Sequence, residues 1–323
     1  MTTEREPAGW TRRELLSATA LAGAAALTSS PASAAEPAPK QVAPPPRVRY
    51  CLNMSTIRGQ KLSVPDQVEL AAKAGYDAIE PWIGELRAYV DGGGNIADLR
   101  KRIADHGLAV ASAIGFAQWI VDDDAVRKAG LEQAKSDMEL IRSIGGTHLA
   151  APPAGATKQT DLNLLQAADR YRALLEVGDS QEVIPQAEVW GFSTTLSRLG
   201  ETMLVALESR HPRACILPDV YHLYKGGSEF AGLRLLAGSA IHCFHMNDYP
   251  ATPPRDSIKD ADRVYPGDGV APLTQILRDL FATGFAGVLS LELFNPTYWQ
   301  QDAGLVARTG LEKMKAAVAK ARE

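Results

Sequence analysis

From residue 47 onward, short apolar runs alternate with longer stretches whose apolar residues recur every three or four positions, and this alternation continues to the C-terminus. The short runs at 48–53, 78–82, 109–114, 147–151, 184–190, 214–219, 241–247 and 288–293 read as strands, and the periodic stretches between them as amphipathic helices. Strand–helix alternation of this kind predicts a parallel sheet with crossover helices. Eight strands is the number that closes a barrel, so the expected fold class is α/β, a (β/α)8 TIM barrel forming a single domain over 47–323.

Helix punctuation keeps the same register. Ser63 before Val64-Pro65-Asp66 is an N-cap with proline in the first turn, and Gly75 ends that helix. Asn95 and Gly107 bracket the next helix, and Gly145 stops the one after. The Gly92-Gly93-Gly94 run lacks the downstream pattern of a phosphate loop and reads as a turn before Asn95.

The first 46 residues break the pattern. Thr11-Arg12-Arg13-Glu14-Leu15-Leu16 leads into an uncharged, Ala-rich stretch through Ser30, followed by the small-x-small site Ala32-Ser33-Ala34. This predicts a twin-arginine signal peptide over 1–34 and a Pro/Ala-rich linker over 35–46, placing the mature protein in the periplasm or outside the cell. Cys51 lies well beyond the cleavage site, so no lipid anchor is expected. Substituting Arg12→Lys together with Arg13→Lys is expected to retain the protein in the cytoplasm; cell fractionation checks this, and an unchanged distribution refutes it.

A net charge of -4 and a pI near 5.9 give no electrostatic footprint for nucleic acid. No other apolar stretch is long enough to span a bilayer, so no membrane partner is expected of the mature form. Cys51, Cys215 and Cys243 fall inside strand runs without metal-ligand spacing and read as small buried hydrophobes. A homo-oligomer is left open.

The chemistry-bearing residues stand at the ends of the later strand runs. Glu188, Asp219, His245 and Glu292 are separated by 31, 26 and 47 residues, close to the roughly 30 residues of a βα unit except for one inserted loop. Burying three carboxylates beside Ile, Leu and Val is costly unless a cation compensates them, which points to a divalent metal. The competing reading pairs each carboxylate with a barrel Arg or Lys, but four aligned candidates favour the metal. Strand alternation puts Cys243, His245 and Asn247 on one face and His242 on the other, so His242 is a poor ligand. Glu80 ends the second strand as a weaker candidate of the same type, and His148 reads as a satisfied strand histidine.

Glu188, Asp219-x-x-His222, His245-x-x-Asp248, Arg263-x-x-Pro266-Gly267-x-Gly269 and Ser290-Leu-Glu292 come at successive strand ends. In this set the chain resembles the sugar phosphate isomerase/epimerase family, the xylose isomerase-like TIM barrels, over roughly Val48 to the C-terminus. The resemblance implies that Glu188, Asp219, His245 and Glu292 bind one divalent cation. Three oxygens and one nitrogen suit Mn²⁺ first, with Mg²⁺, Co²⁺ or Zn²⁺ as substitutes. It further implies that Glu188 and Glu292 exchange protons with a small keto-sugar or polyol ketone through an enediolate, with His222 on a substrate oxygen and Arg263 near the developing negative charge. Arg263 reads equally well as a surface loop residue. Trp82, Phe116, Trp119, Trp190, Tyr298 and Trp299 follow strand ends and are candidates for a pocket wall, with Glu80, Trp119, Trp190, Asn247 and Asp248 as candidate substrate contacts. For Asp248 a loop-capping role is favoured over direct ligation.

The expected activity is therefore that of a metal-dependent isomerase or epimerase, and a lyase on the same scaffold is its nearest rival. An endonuclease IV-like phosphodiesterase would need more strand-end histidines, and a non-catalytic sugar-binding barrel would not need the ligand set. Trp190-Gly-Phe-Ser-Thr-Thr195 lacks the further acidic residue of the ketose 3-epimerases, which counts against free-ketose 3-epimerisation. The Pro-rich segment 249–262 reads as a long loop, of a kind that often serves as a lid.

Overall fold

The computed structural model describes residues 47–323, so the expected signal peptide at 1–34 and linker at 35–46 lie outside the described residues. Eight parallel strands follow in order: β1 (Arg49–Asn53), β2 (Ala78–Glu80), β3 (Ala109–Val110), β4 (His148–Ala151), β5 (Ile184–Glu188), β6 (Ile216–Leu217), β7 (Cys243–Met246) and β8 (Val288–Leu291). One ladder runs β3-β2-β1-β8-β7 and a second runs β4-β5-β6. Sparser contacts join the two. Ala150 N–H donates to Ala113 O at 2.8 Å, and bridges pair Ile216 with Ile241 and Asp219 with His245. The ring is thereby closed as the strand count predicts.

Several strands are shorter than the apolar runs that announce them. Pro81 and Pro218 each withdraw a ladder donor at the C-terminal end of a run, so β2 stops at Glu80 and β6 at Leu217, and pairing resumes only as isolated bridges at Trp82 and Asp219.

The helices are α1 (Val64–Ala74), α2 (Ile83–Asp91), α3 (Ile96–Asp105), α4 (Asp124–Ser143), α5 (Leu164–Gln181), α6 (Leu199–Glu208), α7 (Val220–Lys225), α8 (Leu273–Ala282), α9 (Pro296–Trp299) and α10 (Ala303–Arg322). Caps stand where the sequence puts them. Ser63 accepts from the Asp66 N–H, Asn95 accepts from Ala97 and Asp98, and Gly75, Gly107 and Gly145 take positive φ at or just beyond helix ends. Among the described residues no helix is long and apolar enough to cross a membrane.

Strand alternation divides the core into two layers. Phe244, Met246, Leu289 and Leu291 belong to the large cluster between sheet and helices, while Cys51, Ala78, Ile114, Ala150, Leu217, Cys243 and Val288 form the small-residue plug inside the barrel. All three cysteines are free and buried, as expected.

The long β7–α8 connection is organised by Asp248. Its carboxylate accepts N–H bonds from Tyr249, Gly267, Gly269 and Ala271 at 2.8–3.1 Å. Gly267 adopts φ +90°, and a Cβ on Gly269 would collide with Asp248 Oδ1, which explains both glycines of the Pro266-Gly267-x-Gly269 motif. Substituting Asp248→Ala removes one acceptor from four backbone donors and is expected to cost roughly 2–4 kcal/mol in urea denaturation. A loss below about 0.5 kcal/mol would show that water replaces the carboxylate freely.

Candidate functional site

The four expected ligands converge at the C-terminal mouth of the barrel. Glu188 ends β5, Asp219 follows β6 as the N-cap of α7, His245 lies within β7 and Glu292 comes directly after β8. All four are at least 97 % buried, so whatever neutralises them must be part of the site. His245 Nδ1 stands 3.2 Å from Glu292 Oε2, 3.7 Å from Asp219 Oδ2 and 3.9 Å from Glu188 Oε1.

The other nitrogen of this imidazole explains the orientation. Nε2 lies 3.1 and 3.2 Å from the two oxygens of Glu80, whose Oε2 also accepts from Asn53 Nδ2 at 2.8 Å and Ser290 Oγ at 2.7 Å. A carboxylate at that position fixes the proton on Nε2 and turns the lone pair of Nδ1 toward the three acids. Nδ1 itself is buried and has no hydrogen-bond partner; Glu292 comes near without meeting hydrogen-bond geometry. An ion about 2.0–2.3 Å from each donor requires donor–donor separations of roughly 3–3.7 Å. The Nδ1 distances to Glu292 and Asp219 meet this, and Asp219, His245 and Glu292 offer donors within 4.8 Å of one another, with Glu188 at 3.9 Å from Nδ1 on the edge of the group. The residues present therefore fit a divalent cation at Nδ1. A second cluster of Glu80, Cys243 and His245 is less suited, because its imidazole nitrogen already bonds Glu80.

The electrostatics favour a positive charge at the same point, in addition to the Arg263 guanidinium that pairs with Asp219 and Glu292. Burial pushes Glu188 well above the usual carboxylate range, with Glu292 and Asp219 adding to the effect against the pull of His245. Glu292 is held well below that range, because His245 and Arg263 outweigh its burial. Against the burial that opposes its charge, His245 is raised far above an ordinary imidazole by Glu292 and Glu80. The three acids thus favour a cation beside Nδ1, whether a proton or a metal ion.

Arg263 is not a surface residue. It is 1 % exposed and donates from Nη1 to Asp219 Oδ2 at 3.0 Å and Glu292 Oε2 at 2.8 Å, and from Nη2 to Asp260 Oδ1 at 2.5 Å. Its guanidinium lies over the rings of Tyr221 and Phe294. His222 Nε2 is 3.0 Å from Nη2, and burial together with the neighbouring guanidinium lowers the His222 pKa, keeping the ring a neutral hydrogen-bonding group.

Above these groups opens a cleft of about 180 Å³ whose polar floor is Glu188, His222, Arg263 and Glu292. Trp82, Phe116, Trp190, Phe192 and Phe294 form its wall, the successive rings 5.0–6.0 Å apart. Of the expected wall, Trp82, Phe116 and Trp190 are in place. Tyr298 instead stacks on Tyr265, and Trp299 donates to Ser55 O.

Of the five candidate substrate contacts three require correction, and for Asp248 the loop-capping role favoured from the sequence is the one observed. Trp119 is buried against Tyr171 with its indole N–H on Pro152 O, away from the cleft. Glu80 lies under His245, Asn247 donates to Asp219 Oδ2 and accepts from Tyr221 N–H, and Asp248 holds the β7–α8 loop. Their polar groups are occupied by the protein, and only Trp190 faces the cleft. Sequence reasoning missed Asn53, which ends β1 and bridges Glu80 and Glu292, as well as Asp260, Phe192 and Phe294. A polar residue ending a strand run was the available signal for Asn53; the other three sit on loops with no periodic pattern.

Residues 68–317 match the family model described as xylose isomerase-like TIM barrel. The chain belongs to this family. Inosose isomerase of Bacillus velezensis is 26% identical over 285 residues, covering 84% of this chain and 98% of that protein. The 3-dehydroshikimate dehydratase of Pseudomonas putida is 24% identical over 256 residues, covering 78% of this chain and 39% of its own longer chain. Among family folds of known structure, the IOLI protein with a bound zinc atom superposes with a TM-score of 0.78 at 22% identity, over 84% of this chain and 99% of that one. The chain is thus a xylose isomerase-like TIM barrel with a buried metal-site-like cluster.

Proposed function

We propose that the protein is a divalent-metal-dependent isomerase or epimerase of a small neutral keto-sugar or cyclic polyol ketone, and that it is exported. The observation carrying the reading is the unpartnered Nδ1 of His245 facing Glu188, Asp219 and Glu292 beneath an aromatic cleft. A bound Mn²⁺, Mg²⁺, Co²⁺ or Zn²⁺ would supply Lewis acidity toward substrate oxygens, held by those four residues.

The chain's own groups account for the rest. Glu188 accepts no hydrogen bond among the described residues and lines the cleft, so an oxygen not engaged by the cation is free to take a proton from a carbon beside a carbonyl. Glu292, held ionised by Arg263, lies across the floor of the cleft as the second proton-transfer group. Arg263 and neutral His222 stand beside the position where negative charge develops on oxygen. The aromatic wall excludes water and stacks on the apolar face of a sugar ring. Among the described residues Arg263 is the only cationic one lining the cleft, and its bonds to three carboxylates leave little capacity for a phosphate. A neutral substrate is favoured, in keeping with the inosose named for the Bacillus relative.

The dehydratase relative supports one rival, in which the same proton removal is followed by loss of a β-leaving group. Incubating the metal-loaded chain with a panel of inososes and keto-hexoses in deuterated water separates the two. An isomerase or epimerase leaves deuterium on the reacting carbon of a product of unchanged composition, whereas a lyase yields an unsaturated product. Hydride transfer without solvent label refutes both.

A further inference from the structure

The opposite end of the barrel holds a second cavity, about 600 Å³ in volume, that takes no part in the site above. The N-terminal ends of β1, β3, β4 and β8 frame it, so it lies a full strand length from Glu188 and Glu292. Among the described residues its charged and titratable lining consists of Arg49, Arg100, His148 and His242, with no carboxylate. Most arginines of this barrel have an acidic partner; among the described residues Arg49 and Arg100 make no ion pair or side-chain hydrogen bond.

The two imidazoles stack with centroids 4.4 Å apart. His148 Nδ1 lies 2.9 Å from Thr147 Oγ1, whereas its Nε2 is buried without a partner, contrary to the satisfied strand histidine expected from the sequence. With the Thr147 hydroxyl donating to Nδ1, the proton resides on Nε2, which is closed off from solvent. Burial first, then His242, Arg213 and Arg49, lower the His148 pKa to about 4, so the ring is neutral near pH 7. Gly145 and Gly284 leave open space at the rim, whereas Gly238 and Gly287 are required by the close approach of the neighbouring backbone.

Among the described residues two guanidinium groups without an acidic partner, with no acid in the lining to compete, repel metal cations and gain little from a neutral sugar. We propose that this cavity binds a small dianionic oxyanion, a phosphate group or a dicarboxylate, at a site separate from the catalytic mouth. The assignment does not depend on the reaction proposed above.

Isothermal titration of the full chain at fixed ionic strength, with inorganic phosphate in one arm and malonate in the other, tests it. One saturable site per chain is expected for at least one of the two, and the better ligand identifies the class. The double substitution R49Q/R100Q, both positions being exposed, should fold normally and weaken that binding about tenfold or more. Absence of saturable binding by both probes, or binding that the double substitution leaves unchanged, overturns the proposal.

Discussion

Substituting Glu292→Gln is expected to lower turnover by about 10²–10⁴-fold while the barrel stays folded. The amide keeps the shape of the side chain but removes the charge that bonds Arg263 Nη1 at 2.8 Å and approaches His245 Nδ1 at 3.2 Å. It also removes one of three crowded acids, so the fold loses the Arg263 bond but is relieved of part of the repulsion with Glu188. Turnover of whichever ketone exchanges its α-proton in deuterated water, read beside far-UV circular dichroism, checks the expectation. A variant retaining more than a tenth of wild-type activity would remove Glu292 from the machinery.

The second large effect is on the fold itself. Substituting Arg263→Ala takes away the guanidinium that joins Asp219, Glu292 and Asp260 and packs on Tyr221 and Phe294. Stranding buried carboxylates in this way costs about 3–5 kcal/mol, whereas a surface ion pair of the same geometry would cost less than about 1. Urea denaturation of the metal-free chain gives the number, and a change below about 1 kcal/mol would contradict the burial argument. Arg263→Lys should recover only part of the loss, because one ammonium cannot reproduce a fork whose Nη1 bonds Asp219 and Glu292 while Nη2 bonds Asp260.

The barrel was legible because its two periods, two and about 3.6, are carried by residues such as Phe244, Met246, Leu289 and Leu291, whose burial follows from local alternation alone. The ends of the strands were less so. Pro81 and Pro218 lie inside apolar runs, and the ladder stops at a missing N–H rather than at a change of hydropathy. For the site, the sequence identified which residues end strands but not their depth along the barrel axis. Glu80 and Glu292 look alike as strand-end acids; one lies under His245 and the other at the floor of the cleft. Asn247 and Asp248 adjoin a ligand strand, yet their polar atoms are used by Tyr221, Asp219 and the backbone of residues 249–271. Phe192, Asp260 and Phe294 come from loops, where no periodicity signals direction. The bland expectation for Arg263, a surface loop residue, failed because its burial comes from long-range partners at positions 219 and 292.

The central claim is that one divalent ion belongs at Nδ1 of His245. A crystal structure of the chain grown with Mn²⁺, with anomalous scattering recorded at the manganese edge, tests it most directly. The account predicts one peak per chain at the C-terminal mouth, bonded to His245 Nδ1, Glu188, Asp219 and Glu292, with Glu80 still on Nε2. A peak held by Glu80 and Cys243, or the absence of a peak beside Nδ1, would contradict it.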